Sequence, residues 1–263
     1  MSDGGIQWWQ ELGYQQIEAE EYHATDAVSA SLLKSVDRSP AHATVKIEPT
    51  AAMDFGTAFH AALLEPEKFN DTYAVFDGDK RTKDGKAQYE SLIQAGKTTI
   101  KPEDLEAIEG MSESIRLHES AGALMKSGVA ELSRFWMEGE LMAKCRPDWA
   151  VDSDTLIDIK TTTDASPAGF ARAVANFKYH MQAAWYMRGT GASRFYFVAV
   201  ETKPPYAVGV YQLDRLSLDE GESRIERALD LWRQYKDAPF KPAYSPYIIE
   251  LSLPSWALKG EQE

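Results

Sequence analysis

The sequence holds one cysteine, Cys145, in 263 residues. A lone thiol excludes an internal disulfide framework and fits a reducing compartment, so a cytoplasmic protein is expected. No Cys-His dyad is evident around it, and Cys145 reads as a buried structural thiol. No apolar run approaches the roughly 20 residues of a membrane span, so no membrane partner is expected. The opening MSDGGIQWWQELGY is acidic and aromatic, unlike a signal peptide. No internal repeat, low-complexity tract or clear linker interrupts the chain. Basic charge is scarce: 28 Lys+Arg against 41 Asp+Glu gives 28 − 41 = −13. That balance opposes a nucleic-acid ligand unless Lys and Arg line one groove and the acidic excess lies elsewhere. Bound divalent cations would also offset charge locally.

What is present suits one domain with a sizeable core. The expected layout is an aromatic, acidic arm over 1–28, loosely packed or helical and covering a neighbour. A helical part with a basic loop follows over 29–128, then a core over 129–238 and an extended tail over 239–263. The stretch Cys145 to Thr162, CRPDWAVDSDTLIDIKTT, reads as a β-hairpin. Its first arm, within 140–151, carries Arg146-Pro147-Asp148. The turn is Asp152-Ser153-Asp154. The second arm, 155–162, alternates and is β-branched. Alternation puts Asp158 and Lys160 on one face, and simple register brings Asp148 beside them. Two carboxylates and an ammonium in one small space suit Mg²⁺, or Mn²⁺ in its place. Alone, Asp-x-Lys on a strand is an ordinary solvated ion pair. Glu131 and Glu140 are further acidic candidates, the latter more remote.

Around the hairpin, Ser29-x-Ser31 opens a helix over Leu32 to Val36, with either serine as the N-cap or with a hydroxyl on a phosphate. A helix over 54–65 carries Gly56, read as permitting close backbone approach, and His60. Such a histidine is commonly a hydrogen-bonded core residue. Residues 66–99 read as irregular, with a basic run offering Arg81, Lys83 and Lys86 to phosphates. One helix is expected over 102–127 and a strand over 129–138. Helices over 167–176 and Lys178 to Arg188 follow. On the latter, Gln182 and Tyr186 share a face. A buried amide there needs a partner. Strands at 194–201 and 207–213 and a helix over 217–236 complete an α/β fold, a central mixed sheet with helices on both sides.

The ordered set Gly56…His60, Pro147-Asp148, Asp158-Ile159-Lys160 and Gln182…Tyr186 resembles the PD-(D/E)xK nuclease superfamily. Within it, SASLLKSVDRSPAHA and GTAFHAALLEPEKF resemble the phage-type exodeoxyribonuclease VIII family, relatives of lambda exonuclease. The resemblance runs from about Ser29 to about Trp256. It implies a restriction-endonuclease-like core and a metal-dependent, double-strand-specific 5′ to 3′ exonuclease, processive, leaving 3′ overhangs. It further implies a ring-shaped homo-oligomer threading duplex DNA and a single-strand annealing protein as partner. Asp148, Asp158 and the Ile159 carbonyl would hold metal, with His60 as a third side-chain ligand. Lys160 would position or deprotonate water, or stabilise charge. Ser31, Lys178, Gln182 and Tyr186 would touch DNA. A catalytically silent scaffolding module on the same fold, or an endonuclease, are the alternatives.

Overall fold

The structure is a computed structural model that describes residues 7–254. Its helices are α1 (Trp8–Glu11), α2 (Ala19–Ala24), α3 (Ala30–Arg38), α4 (Ala51–Leu64), α5 (Pro66–Thr72), α6 (Lys83–Gln94), α7 (Pro102–Leu117), α8 (Glu119–Leu124), α9 (Pro167–Asn176), α10 (Tyr179–Thr190) and α11 (Arg215–Tyr235). Its strands are β1 (Tyr14–Gln15), β2 (Tyr73–Val75), β3 (Thr98–Ile100), β4 (Val129–Ala130), β5 (Ser133–Glu138), β6 (Leu141–Cys145), β7 (Trp149–Asp152), β8 (Thr155–Thr162), β9 (Arg194–Glu201) and β10 (Val208–Gln212).

The central sheet has the order β10-β9-β8-β7-β4. Only β8 and β9 pair in parallel, joined through α9 and α10; the other neighbours are antiparallel. Residues 155–159 of β8 are buried, as a strand covered on both faces must be. On one face Leu156 packs with Phe170, Trp185, Ile225 and Leu229. On the other, Ile157 and Ile159 pack with Phe59, Ile108 and Met111. The mixed sheet with helices on both sides is therefore as expected. Cys145 is fully buried, and burial raises its thiol.

Several local expectations are corrected. Residues 66–99 are not irregular: they form α5, β2, α6 and β3, with β2 and β3 pairing in parallel. The expected helix over 102–127 breaks at His118, whose ring accepts the Ala121 N–H and caps α8. The first arm of the hairpin is two strands in different sheets. β6 pairs with β5 beside β1, and β7 pairs with β8. Arg146-Pro147-Asp148 is the crossing between them, where Pro147 has no N–H to leave unpaired. The described part of the 1–28 arm packs on its own chain, with Tyr14 and Tyr22 buried and β1 paired to β5. Its residues 1–6 lie outside the described residues, as do 255–263 of the tail; residues 239–254 carry no helix or strand. Ser29, not Ser31, caps α3, accepting the Leu32 N–H at 3.2 Å. A Cβ on Gly56 would meet only Thr161 Oγ1 at 3.8 Å, an ordinary contact, so no close backbone approach requires the glycine.

Candidate active site

The site forms where the sheet-crossing segment meets β8. The register Trp149↔Ile157 continues to set Asp148 against Asp158. Asp148 Oδ2 accepts the Ile159 N–H at 2.6 Å, which fixes the carboxyl. Ile159 thus meets the site on both sides of its backbone: its amide donates to Asp148, and its carbonyl accepts from the His60 ring. Asp148 Oδ1 stands 3.6 Å from His60 Nδ1, on α4. Glu131, in the turn after β4, completes a trio: one ligand atom each from His60, Glu131 and Asp148 lie within 4.8 Å of one another. Glu131 has φ 56°, a left-handed conformation that costs a non-glycine residue about 1–3 kcal/mol. Its N–H donates to the Asp148 carbonyl at 3.1 Å, and Arg146 Nε donates to its Oε2 at 2.6 Å.

Burial and then the neighbouring Asp148 push the Glu131 carboxyl up to about 7. Burial and then Asp158 push Asp148 upward too. Burial pulls the His60 imidazole down, as does the Lys160 charge, which keeps a nitrogen lone pair free. Two crowded carboxyls and a neutral imidazole are a donor set that fits a divalent cation.

Asp158 is 1% exposed and faces a different set of partners. Lys160, on the same strand face, makes an ion pair with it. Gln182 Nε2 donates to Asp158 Oδ1 at 2.5 Å. Gln182 Oε1 accepts from Lys34 Nζ at 3.0 Å and from Lys160 Nζ at 3.4 Å. The buried amide thus has partners on both its nitrogen and its oxygen. Burial lowers Lys160, but Asp158 and Asp148 outweigh it, and the ammonium is held above its ordinary value. Burial and the nearby Lys160 push Lys34 down to about 7. Lys34 is the residue that sequence reasoning missed; Glu131 stood there only as a further acidic candidate with no assigned role.

The remaining candidates divide. Ser31, Gln182 and Tyr186 line one cleft with Glu131, Lys144 and Arg146. Lys144 and Arg146 anchor the N-terminal segment there, donating to the carbonyls of Tyr22, Thr25 and Ile17. Lys178 is bound to Asp37 and to the Lys34 carbonyl. Arg81 pairs with Asp79, and Lys86 lies beside Glu90 on exposed α6, whose first residue is Lys83. No hydrogen bond or ion pair among the described residues joins these three cations to the site. Glu140 lies exposed in the β5–β6 turn, away from the cluster.

A family model described as "PDDEXK-like domain of unknown function (DUF3799)" matches residues 29–248. The chain belongs to this PDDEXK-like family. A crystal structure of a putative exonuclease from Eubacterium rectale shares the fold, with TM-score 0.65 and 13% identity, over 93% of this chain and 98% of that one. More remote are a phage-related exonuclease from Haemophilus somnus (TM-score 0.37, 15% identity, 82% of this chain, 97% of that one) and an alkaline exonuclease from Laribacter hongkongensis (TM-score 0.34, 15% identity, 82% of this chain, 93% of that one). No curated protein matches. No described helix is long and apolar enough to cross a membrane.

Proposed function

We propose that the chain is a metal-dependent exonuclease on double-stranded DNA. The observation that carries this is Asp148, Asp158 and Lys160 meeting beside His60 and Glu131 at the junction of β7 and β8. Asp148, Glu131 and His60 would hold the ion, with Asp158 next to them; Mg²⁺ is proposed, with Mn²⁺ able to replace it. Bound there, a divalent ion supplies positive charge to the phosphate oxygens and makes an attacking water more acidic. Lys160 directs its ammonium into the same space, to orient the water or to neutralise charge developing on the phosphate. Gln182 holds Asp158 and both lysines in place. Ser31, Gln182 and Tyr186 line the cleft proposed for the DNA strand; Lys178, also proposed to touch DNA, is tied to Asp37 and does not line that cleft. Arg81, Lys83 and Lys86 remain proposed phosphate contacts on an outer loop and helix.

The 5′ to 3′ polarity, processivity, 3′ overhangs, annealing-protein partner, ring assembly and cytoplasmic setting rest on the sequence resemblance. A linear duplex labelled at either end tests the reading. In Mg²⁺ the 5′ label is released first and a chelator stops release. Loss of the 3′ label first, or release that ignores the chelator, contradicts it.

His60 gives a separate test. Its side chain keeps 26% exposure, so His60→Ala should cost less packing than loss of a fully buried side chain. Calorimetric Mn²⁺ titration should show affinity reduced about tenfold or more, with the melting temperature nearly unchanged. A collapsed melt with unchanged Mn²⁺ affinity would make His60 a core residue.

A further inference from the structure

A second cleft, of about 580 Å³, is lined by Lys160 but by none of the metal trio. That volume lies within the roughly 300–1,000 Å³ of small-molecule sites. Its walls are mostly apolar: Phe55 from α4, Phe170 from α9, and the pair Phe177 and Tyr179 between α9 and α10. Phe177 is 61% exposed, stacked on Tyr179 with ring centroids 5.5 Å apart and planes at 27°. Most of its surface therefore meets water, which is costly unless something covers it. The platform is held firmly. Lys178 between the two rings is left-handed (φ 54°) and tied to Asp37.

The chemistry of the occupant follows from the rim. Lys160 and Lys34 place their ammonium groups 4.7 and 5.2 Å from the Tyr179 centroid. Lys160 and Lys203 are among the lining residues, as are Glu103 and Asp104. A ligand with a flat apolar face and an anionic group at the Tyr179 end, where Lys160 and Lys34 lie, fits this lining. We propose that the cleft takes a nucleobase of the strand being cut, stacked on Phe177, with the flanking phosphate on the Lys160 side. The inference rests on the nuclease reading and adds to it a site that grips bases rather than backbone. Stacking on an aromatic face is sequence-tolerant, since every base has one. It requires an unpaired base, so the cleft would hold a strand already separated from its complement.

The test reads binding as well as cleavage. Phe177→Trp is titrated in Ca²⁺ with a single-stranded phosphorothioate oligothymidylate, and with an abasic oligonucleotide of equal length. The expected result is indole quenching by the first and not by the second. Phe177→Ala should weaken oligothymidylate binding at least fivefold, leave abasic binding unchanged and melt as wild type. Equal quenching by both probes, unchanged affinity in Phe177→Ala, or emission that shifts with protein concentration alone would overturn the inference. The last of these would assign the platform to a second copy. If wild type cleaves linear duplex but Phe177→Ala binds normally, the cleft inference falls and the nuclease reading stands. If wild type cleaves nothing yet Phe177→Trp is quenched only by the base-bearing probe, the reverse holds.

Discussion

Asp148→Asn, Asp158→Asn and Lys160→Ala should each lower hydrolysis of linear duplex DNA by about a thousandfold or more. Asp148 from the segment entering β7 converges with Asp158 and Lys160 of β8 on one space, so each variant deletes a charge the others cannot replace. The asparagine variants keep shape and hydrogen-bonding capacity, so melting temperatures should stay within a few degrees of wild type. Asp158→Asn still gives Gln182 an oxygen to meet, and Asp148→Asn still accepts the Ile159 N–H through its amide oxygen. Lys160→Arg should be inactive as well, because a planar guanidinium cannot occupy the position of a compact ammonium between Asp158 and Gln182. Single-turnover rates in Mg²⁺ measure this. Near wild-type turnover in any one of the four would remove that residue from the assignment.

Removing metal should have the second large effect, and it should grow with pH. Glu131 is raised from 4.5 to about 7 in the folded chain, and Asp148 is raised too. A carboxyl raised on folding favours the folded state fully below its unfolded value and loses that contribution as pH rises through the folded value. Metal-free protein should therefore lose stability between about pH 4.5 and pH 7, by about 3 kcal/mol for Glu131. A bound cation needs the carboxylates charged and opposes this loss. Ion at a hundred times its dissociation constant adds about 2.7 kcal/mol. Thermal melts with chelator and with Mn²⁺ should diverge as pH rises from 5 to 8. Glu131→Gln should flatten the chelator series. Parallel series with and without metal would contradict the trio as a cation site.

The central chemistry was legible because strand alternation is strict. Asp158 and Lys160 two residues apart must share a face, and the turn at Asp152-Ser153-Asp154 brings Asp148 alongside. Gln182 was legible as a buried amide needing partners, though its partners were not. Lys34 reaches it from 148 residues away, and nothing local in SASLLKSV distinguishes a site lysine from a solvated one. Glu131 was noticed but not assigned. Its approach depends on a left-handed turn and on the chain changing sheets at Arg146-Pro147, neither of which a strand pattern records. Helix α6 was missed because KDGKAQYESLIQ is mostly polar and largely exposed. Its start is marked only by Thr82 accepting the Gly85 N–H. The basic run Arg81 to Lys86 read as a solvated loop offering cations to phosphates, and its charges are exposed, two of them beside Asp79 and Glu90.

The central claim is that this site hydrolyses DNA from an end with the help of a divalent ion. The most direct measurement compares linear and covalently closed circular duplex of one sequence, each in Mg²⁺ and in chelator. The account predicts progressive loss of the linear form in Mg²⁺ alone, with the circle intact throughout. Cleavage of the circle at a comparable rate would make the protein an endonuclease, and an intact linear duplex in Mg²⁺ and in Mn²⁺ would make the site catalytically silent.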